Sequence, residues 1–132
     1  MDIRMIIREA LREDVPNGDI TTNSIVPEEM KGKAVLIVKE DCVISGIMPF
    51  ALVFEELGGV DVQLNVNDGD SVPAGTEAAY LKGNLRSILT GERTALNLLM
   101  HLSGIATITK EFVDLVEGTG VKIVDTRKTT PL

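Results

Sequence analysis

Six residues near the end of the sequence, Asp125-Thr126-Arg127-Lys128-Thr129-Thr130, set two adjacent cations among three hydroxyls, just after a β-branched run. Arginine offers a planar fork that grips a carboxylate or phosphate through two N–H groups, and lysine a compact point charge. Ligands of α/β folds collect beyond the carboxyl ends of strands. Thr126, Arg127 and Lys128 are therefore candidates for holding a small anion. Spacing alone equally allows a solvated polar turn. Arg93 is a second candidate, in the helix-like run Thr90-Gly91-Glu92-Arg93-Thr94-Ala95-Leu96-Asn97. A buried arginine without partners is costly, so Arg93 is either paired, with Glu92 and Asn97 as local anchors, or presented to a ligand. An ordinary exposed arginine on a helix face is the plainer reading.

Other polar features read as structural. The acidic run Glu13-Asp14-Val15-Pro16-Asn17-Gly18-Asp19 lacks the ligand spacing and closing glutamate of a calcium loop and reads as a turn. His101, alone beside Leu102, reads as a packed or capping residue, and Cys42 as a small core hydrophobe. Asn67-Asp68-Gly69-Asp70-Ser71-Val72-Pro73-Ala74-Gly75 resembles a turn of lipoyl and biotinyl carrier domains. No Met-Lys-Met or Asp-Lys-Ala accompanies it, so the likeness implies a barrel-sandwich-like fold and not a carrier.

The elements that must position these residues follow from periodicity. Ile3, Ile6, Ile7, Ala10 and Leu11 form one helical stripe over residues 2–13, with Asp2 as N-cap. Thr21-Thr22-Asn23-Ser24 reads as loop or sheet edge. Residues 34–38 and 42–44 read as two strands, or as one strand with a turn near Lys39-Glu40-Asp41. Pro49 and the stripe Phe50, Val53, Phe54, Leu57 predict a helix over 48–57, stopped by Gly58-Gly59. Strict alternation of Val60, Val62, Leu64 and Val66 predicts a half-buried strand. Another strand is expected over 78–81, closed by Lys82-Gly83-Asn84. Beyond Asn84 a leucine-rich helix is expected, interrupted at Ser103-Gly104, then a second helix over 107–116 and a strand over 121–125. A strand so close to the end of the sequence needs partners from elsewhere.

Composition narrows the class. The 132 residues hold 44% hydrophobic and 25% charged side chains, the range of an ordinary globular domain. No apolar run reaches the roughly 18 residues of a membrane span, and the start of the sequence lacks signal-peptide order. The single Cys42 rules out an internal disulfide, and no Cys/His cluster suggests zinc. A cytoplasmic location is expected. The net charge of −7 is uneven: residues 1–81 carry 6 basic and 15 acidic side chains, residues 82–132 carry 7 and 5. Such an acidic body argues against nucleic acid as a partner, while the more basic tail suits a small anion.

Four runs taken in order, Glu13-Asp14 with Gly18-Asp19-Ile20-Thr21-Thr22, Gly91-Glu92-Arg93-Thr94-Ala95-Leu96-Asn97, Ser103-Gly104-Ile105-Ala106-Thr107, and Asp125-Thr126-Arg127-Lys128-Thr129-Thr130-Pro131, resemble the quinolinate phosphoribosyltransferase (carboxylating nicotinate-nucleotide pyrophosphorylase) family. Each run alone is modest; four in order are specific, and they cover essentially the whole chain. The resemblance implies an α+β fold, an N-terminal open β-sandwich with helices followed by the start of an incomplete α/β barrel. Residues 1–85 would form the sandwich domain, and 86–132 the linking helices and first barrel strand. It implies conversion of quinolinate and phosphoribosyl pyrophosphate, with Mg2+, to nicotinate mononucleotide, pyrophosphate and carbon dioxide in NAD biosynthesis. It implies Lys128 as catalytic residue and Arg93, Thr126, Arg127 and Lys128 as substrate-binding residues, Arg127 on a quinolinate carboxylate. Arg93 would serve the neighbouring subunit of a homodimer or larger assembly. It implies no metal ligand in these residues, no nucleic acid and no membrane. The family continues beyond Pro131 with glycine, a hydrophobic residue and arginine, then a His-Arg pair and further Lys and acidic residues, where this sequence has Leu132. The chain is thus expected to be the N-terminal half and inactive alone. A relative associated with molybdate transport shares the Gly-Asp-Ile-Thr-Thr and Ser-Gly-Ile-Ala-Thr runs, but Glu92-Arg93-Thr94 favours the quinolinate enzyme. Nicotinate phosphoribosyltransferase, which would prefer the monocarboxylate, and a non-catalytic sandwich binding or carrier module are two weaker readings.

Overall fold

The computed structural model describes residues 2–128. Helix α1 (Ile3–Asp14) starts at Asp2, whose carboxylate accepts the Arg4 N–H at 3.1 Å. It buries Ile7 and Leu11, and Arg4–Glu55 (2.8 Å) and Arg8–Glu56 (2.5 Å) tie it to helix α3 (Ile47–Leu57). Phe50 and Phe54 of α3 meet edge to face, 5.2 Å apart, in the core with Val53 and Ile47.

Strands β1 (Lys31–Ile37), β3 (Val60–Leu64) and β5 (Glu77–Asn84) form an antiparallel sheet in the order β1-β5-β3. The alternation read from residues 60–66 turns Val60, Val62 and Leu64 inward, against α3 and the core that it shares with helix α4 (Leu85–Leu115). Ala34 pairs with Leu81, and Leu81 with Val62, across the inner face. Lys33, Lys82 and Asp61 line up on the outer face. Lys82-Gly83-Asn84 continues β5 instead of closing it. Gly83 is required there: its φ is +154°, and a Cβ would lie 2.1 Å from the Gly59 carbonyl oxygen.

Strands β2 (Cys42–Val43) and β4 (Ser71–Val72) form a second antiparallel pair. The carrier-like turn serves this pair and α3. Asp68 Oδ1 accepts the Ile47 N–H at 2.9 Å at the start of α3, the Gly69 N–H donates to the Ile44 carbonyl, and the Ile44 N–H to that of Asp70. The fold is α+β, with two sheets and covering helices, and α4 fits the entry to a barrel.

Three further expectations are corrected. Residues Ile20–Ile25 form a short helix, α2, not a loop or edge. Its Thr, Asn and Ser are weak helix formers, and capping holds it instead. Asp19 accepts the Thr22 N–H at 3.0 Å, while Arg86 donates to the Val26 and Asn23 carbonyls at 2.8 and 3.2 Å at the other end. The interruption at Ser103-Gly104 does not occur: α4 runs unbroken for 31 residues, about 46 Å at 1.5 Å per residue. Ser103 faces inward, where its hydroxyl accepts the Ser45 N–H at 3.0 Å and donates to the Ser45 carbonyl at 3.1 Å. One turn on, Thr107 Oγ1 accepts the Val43 N–H at 2.9 Å. These hydroxyls, four residues apart, stand where a neighbouring strand would otherwise bond β2. The strand expected over 121–125, the first of a barrel, is also not formed. Val121, Ile123 and Val124 are exposed in irregular backbone, and no described strand pairs with them. No helix among the described residues is long and apolar enough to cross a membrane.

Candidate functional site

Two of the four sequence runs meet at one end of α1. Asp14 is the last residue of α1, and the turn after it leads to Asp19 at the start of α2. Both face the N-terminal third of α4. Arg93 donates through Nη1 to Asp14 Oδ1 at 2.7 Å. Asp19 Oδ2 accepts the hydroxyls of Thr22 (2.5 Å) and Thr90 (3.3 Å). The Thr22 hydroxyl and N–H hold the Asp19 carboxyl below the ordinary aspartate range, with Thr90 and the Arg93 charge adding to the effect. The bond to Asp14, and its charge, push the Arg93 guanidinium above its ordinary value.

Arg93 is therefore paired and presented at once. Its side chain is 73% exposed while that of Asp14 is 17% exposed. The anchor is Asp14, 79 positions away in sequence, and not Glu92 or Asn97. The close approach of α3 and α4 that fixes this part of α4 depends on Gly91. A Cβ there would lie 2.8 Å from Leu57 Cδ1 and 2.9 Å from Phe54 Cε1. Between α1 and α4, beside the ion pair, runs a groove of about 740 Å³. Ile6, Ala10 and Leu98 supply its apolar wall, and Asp14, Asn97 and His101 its polar rim. His101 is exposed there, neither packed nor capping.

The other sequence candidates lie apart from this cluster. Thr126, Arg127 and Lys128 are exposed in irregular backbone, where Thr126 Oγ1 accepts the Lys128 N–H at 3.2 Å and shapes the turn. The preceding residues 121–124 line a hollow with Lys110, Val113 and Asp114 at the far end of α4. From Arg93 to Lys110 is about 25 Å of helix, so the hollow lined by the residues that precede the cation pair lies well along α4 from Arg93. Thr129, Thr130 and Pro131 lie outside the described residues. Among the described residues no group of three carboxylate, thiol or imidazole side chains converges to hold a metal ion. Cys42 is half-buried, and desolvation pushes its thiol up, as suits a packing residue.

Nothing in their types marks Asp14, Asp19, Thr22 and Thr90 as site residues. The one signal in the sequence is that Asp14, Asp19 and Thr22 lie in a run with family-like spacing and Thr90 adjoins the run that carries Arg93. Their role is visible only once α1, α2 and α4 are assembled.

Residues 19–103 match the family model described as the quinolinate phosphoribosyl transferase N-terminal domain. The probable nicotinate-nucleotide pyrophosphorylase (carboxylating) of Methanocaldococcus jannaschii is 46% identical over 129 residues, covering 96% of this chain and 44% of that protein. The nicotinate-nucleotide pyrophosphorylase (carboxylating) of Mycobacterium leprae is 44% identical, over 97% of this chain and 46% of its own length. In shape, the crystal structure of NadC from Streptococcus pyogenes superposes with a TM-score of 0.93 at 40% identity, covering 98% of this chain and 46% of that one. The chain spans about half the length of the curated relatives it matches.

Proposed function

Since the chain belongs to the quinolinate phosphoribosyl transferase family by its N-terminal domain, we propose that its polypeptide transfers a phosphoribosyl group to quinolinate. The C1–O bond to pyrophosphate breaks and a bond from the quinolinate ring nitrogen to C1 forms. The adjacent carboxylate then leaves as carbon dioxide and a proton takes its place, giving nicotinate mononucleotide. The observation that carries this reading is the agreement, over nearly the whole chain, with enzymes bearing that name in both sequence and shape.

The chemistry asks for placed positive charge. Quinolinate is a dianion, its co-substrate is polyanionic, and the transferring ribosyl carbon becomes cation-like as pyrophosphate departs. In this reading Arg127 grips a quinolinate carboxylate through its fork, Thr126 assists, and Lys128 is the catalytic point charge. Arg93 reaches an anion in the site of a neighbouring subunit. The length of α4 between Arg93 and the tail supports that division, because two chains side by side bring together groups that one helix keeps apart. A homodimer and a cytoplasmic location belong to the same proposal. Mg2+ belongs to the same proposal as the partner of phosphoribosyl pyrophosphate, where it would offset the charge of the departing pyrophosphate.

The test uses the polypeptide its gene encodes, supplied with quinolinate labelled at the departing carboxylate, phosphoribosyl pyrophosphate and Mg2+. Labelled carbon dioxide and nicotinate mononucleotide should appear together, at a rate proportional to enzyme. Failure to consume quinolinate, or equal turnover of nicotinate, would overturn the reading.

A further inference from the structure

We infer that Asp14 is the positioning residue of Arg93, holding its guanidinium ready for an anion. The inference rests on the proposed role of Arg93 at an anionic substrate. Asp14 is well placed to act as a fixed post. It ends a helix whose Ile7 and Leu11 lie in the core and whose Arg4 and Arg8 are tied to Glu55 and Glu56 of α3. Its own side chain is largely covered, whereas Arg93 stands mostly in solvent. The contact is monodentate, from Nη1 to Oδ1. The Nε–Nη2 edge of Arg93 has no hydrogen-bond partner among the described residues, and this is the kind of edge that takes a carboxylate or phosphate through two parallel N–H bonds. Asp19, whose charge also acts on Arg93, is hydrogen-bonded to Thr22 and Thr90 and makes no hydrogen bond to that edge.

A single-point pair at an exposed arginine contributes little to stability. It does restrict a long side chain before the ligand arrives, so less conformational freedom is lost on binding. The Asp14 charge works in the opposite direction, by offsetting part of the Arg93 charge that an anion would feel. The sign of the Asp14 effect therefore decides between positioning and competition.

The experiment measures KM for both substrates, kcat and Tm in the full polypeptide for Asp14→Ala, Asp14→Asn, Arg93→Gln and the double variant Asp14→Ala/Arg93→Gln. Arg93→Gln should raise one KM. Asp14→Ala should raise that same KM by roughly two- to fivefold, leaving the other KM unchanged. Asp14→Asn keeps an acceptor oxygen and should restore most of the loss. In the Arg93→Gln background, Asp14→Ala should change KM no further, whereas a merely structural role would lower Tm and act equally in both backgrounds. A raised KM in Arg93→Gln with an unchanged or lowered KM in Asp14→Ala overturns the positioning role alone. An unchanged KM in Arg93→Gln overturns the reading of Arg93 and the positioning role with it.

Discussion

Replacing Ser103 by alanine and Thr107 by valine tests how α4 is fixed to the small β2–β4 sheet. β2 is two residues long and pairs with a strand on one side only. On its other side the Ser103 hydroxyl both accepts from and donates to Ser45, and the Thr107 hydroxyl takes the Val43 N–H. Ser103→Ala leaves two backbone groups of Ser45 without that partner, and Thr107→Val leaves one of Val43 in nearly the same shape. A lost hydrogen bond costs about 1 kcal/mol, and an orphaned buried group about 1–3. Ser45 and Val43 are only partly buried, so water recovers some of this. The expected costs are about 1.5 kcal/mol for Ser103→Ala and about 1 kcal/mol for Thr107→Val. Urea unfolding reads the total, and amide hydrogen exchange reads the place. The Ser45 and Val43 amides should exchange about tenfold faster for each 1.4 kcal/mol lost from their local opening free energy, while amides of β5 follow only the global change. Stability within about 0.3 kcal/mol of the parent, with unchanged exchange at both amides, would refute the view that these hydroxyls replace a missing strand.

Three more substitutions probe the fold elsewhere. Gly83→Ala should cost about 3 kcal/mol or more, since its Cβ would meet the backbone of Gly59 and Val60, which has no side-chain freedom to yield; near-parental stability in urea would contradict this. Arg86→Met keeps the apolar stem but removes the donors to Val26 and Asn23, so it should cost about 1–2 kcal/mol and speed exchange within α2 first; uniform exchange across the chain would count against that capping role. The Asp19 carboxyl lies below its ordinary value in the folded chain, so its contribution is complete above the unfolded value of about 3.9 and is lost as pH falls through the lower, folded value. Asp19→Asn should therefore flatten the acid limb of a stability–pH profile below about pH 4, and an unchanged limb would show that other carboxyls set it.

The sequence by itself determined the local elements whose apolar spacing is complete within a dozen residues. The stripe of α1, the α3 helix with Pro49 in its first turn and its stop at Gly58, and the alternation of β3 all match the structure, because burial of one face is written directly into residue spacing. It also determined the family, through four ordered runs whose types and spacing survive without coordinates. Tertiary structure decided what spacing cannot encode. Helix α2 has no apolar period and exists through Asp19 and a distant Arg86. Ser103-Gly104 has the composition of a break because Ser and Gly are poor helix formers, yet Ser103 is held in the helix by its bonds to Ser45. Residues 121–125 have strand composition, but a strand is a pairing and composition supplies no partner. The Arg93 anchor was settled in the same way. Its sequence neighbours were plausible, but side-chain contact is fixed by how α1 and α4 pack, and that packing put Asp14 within 2.7 Å.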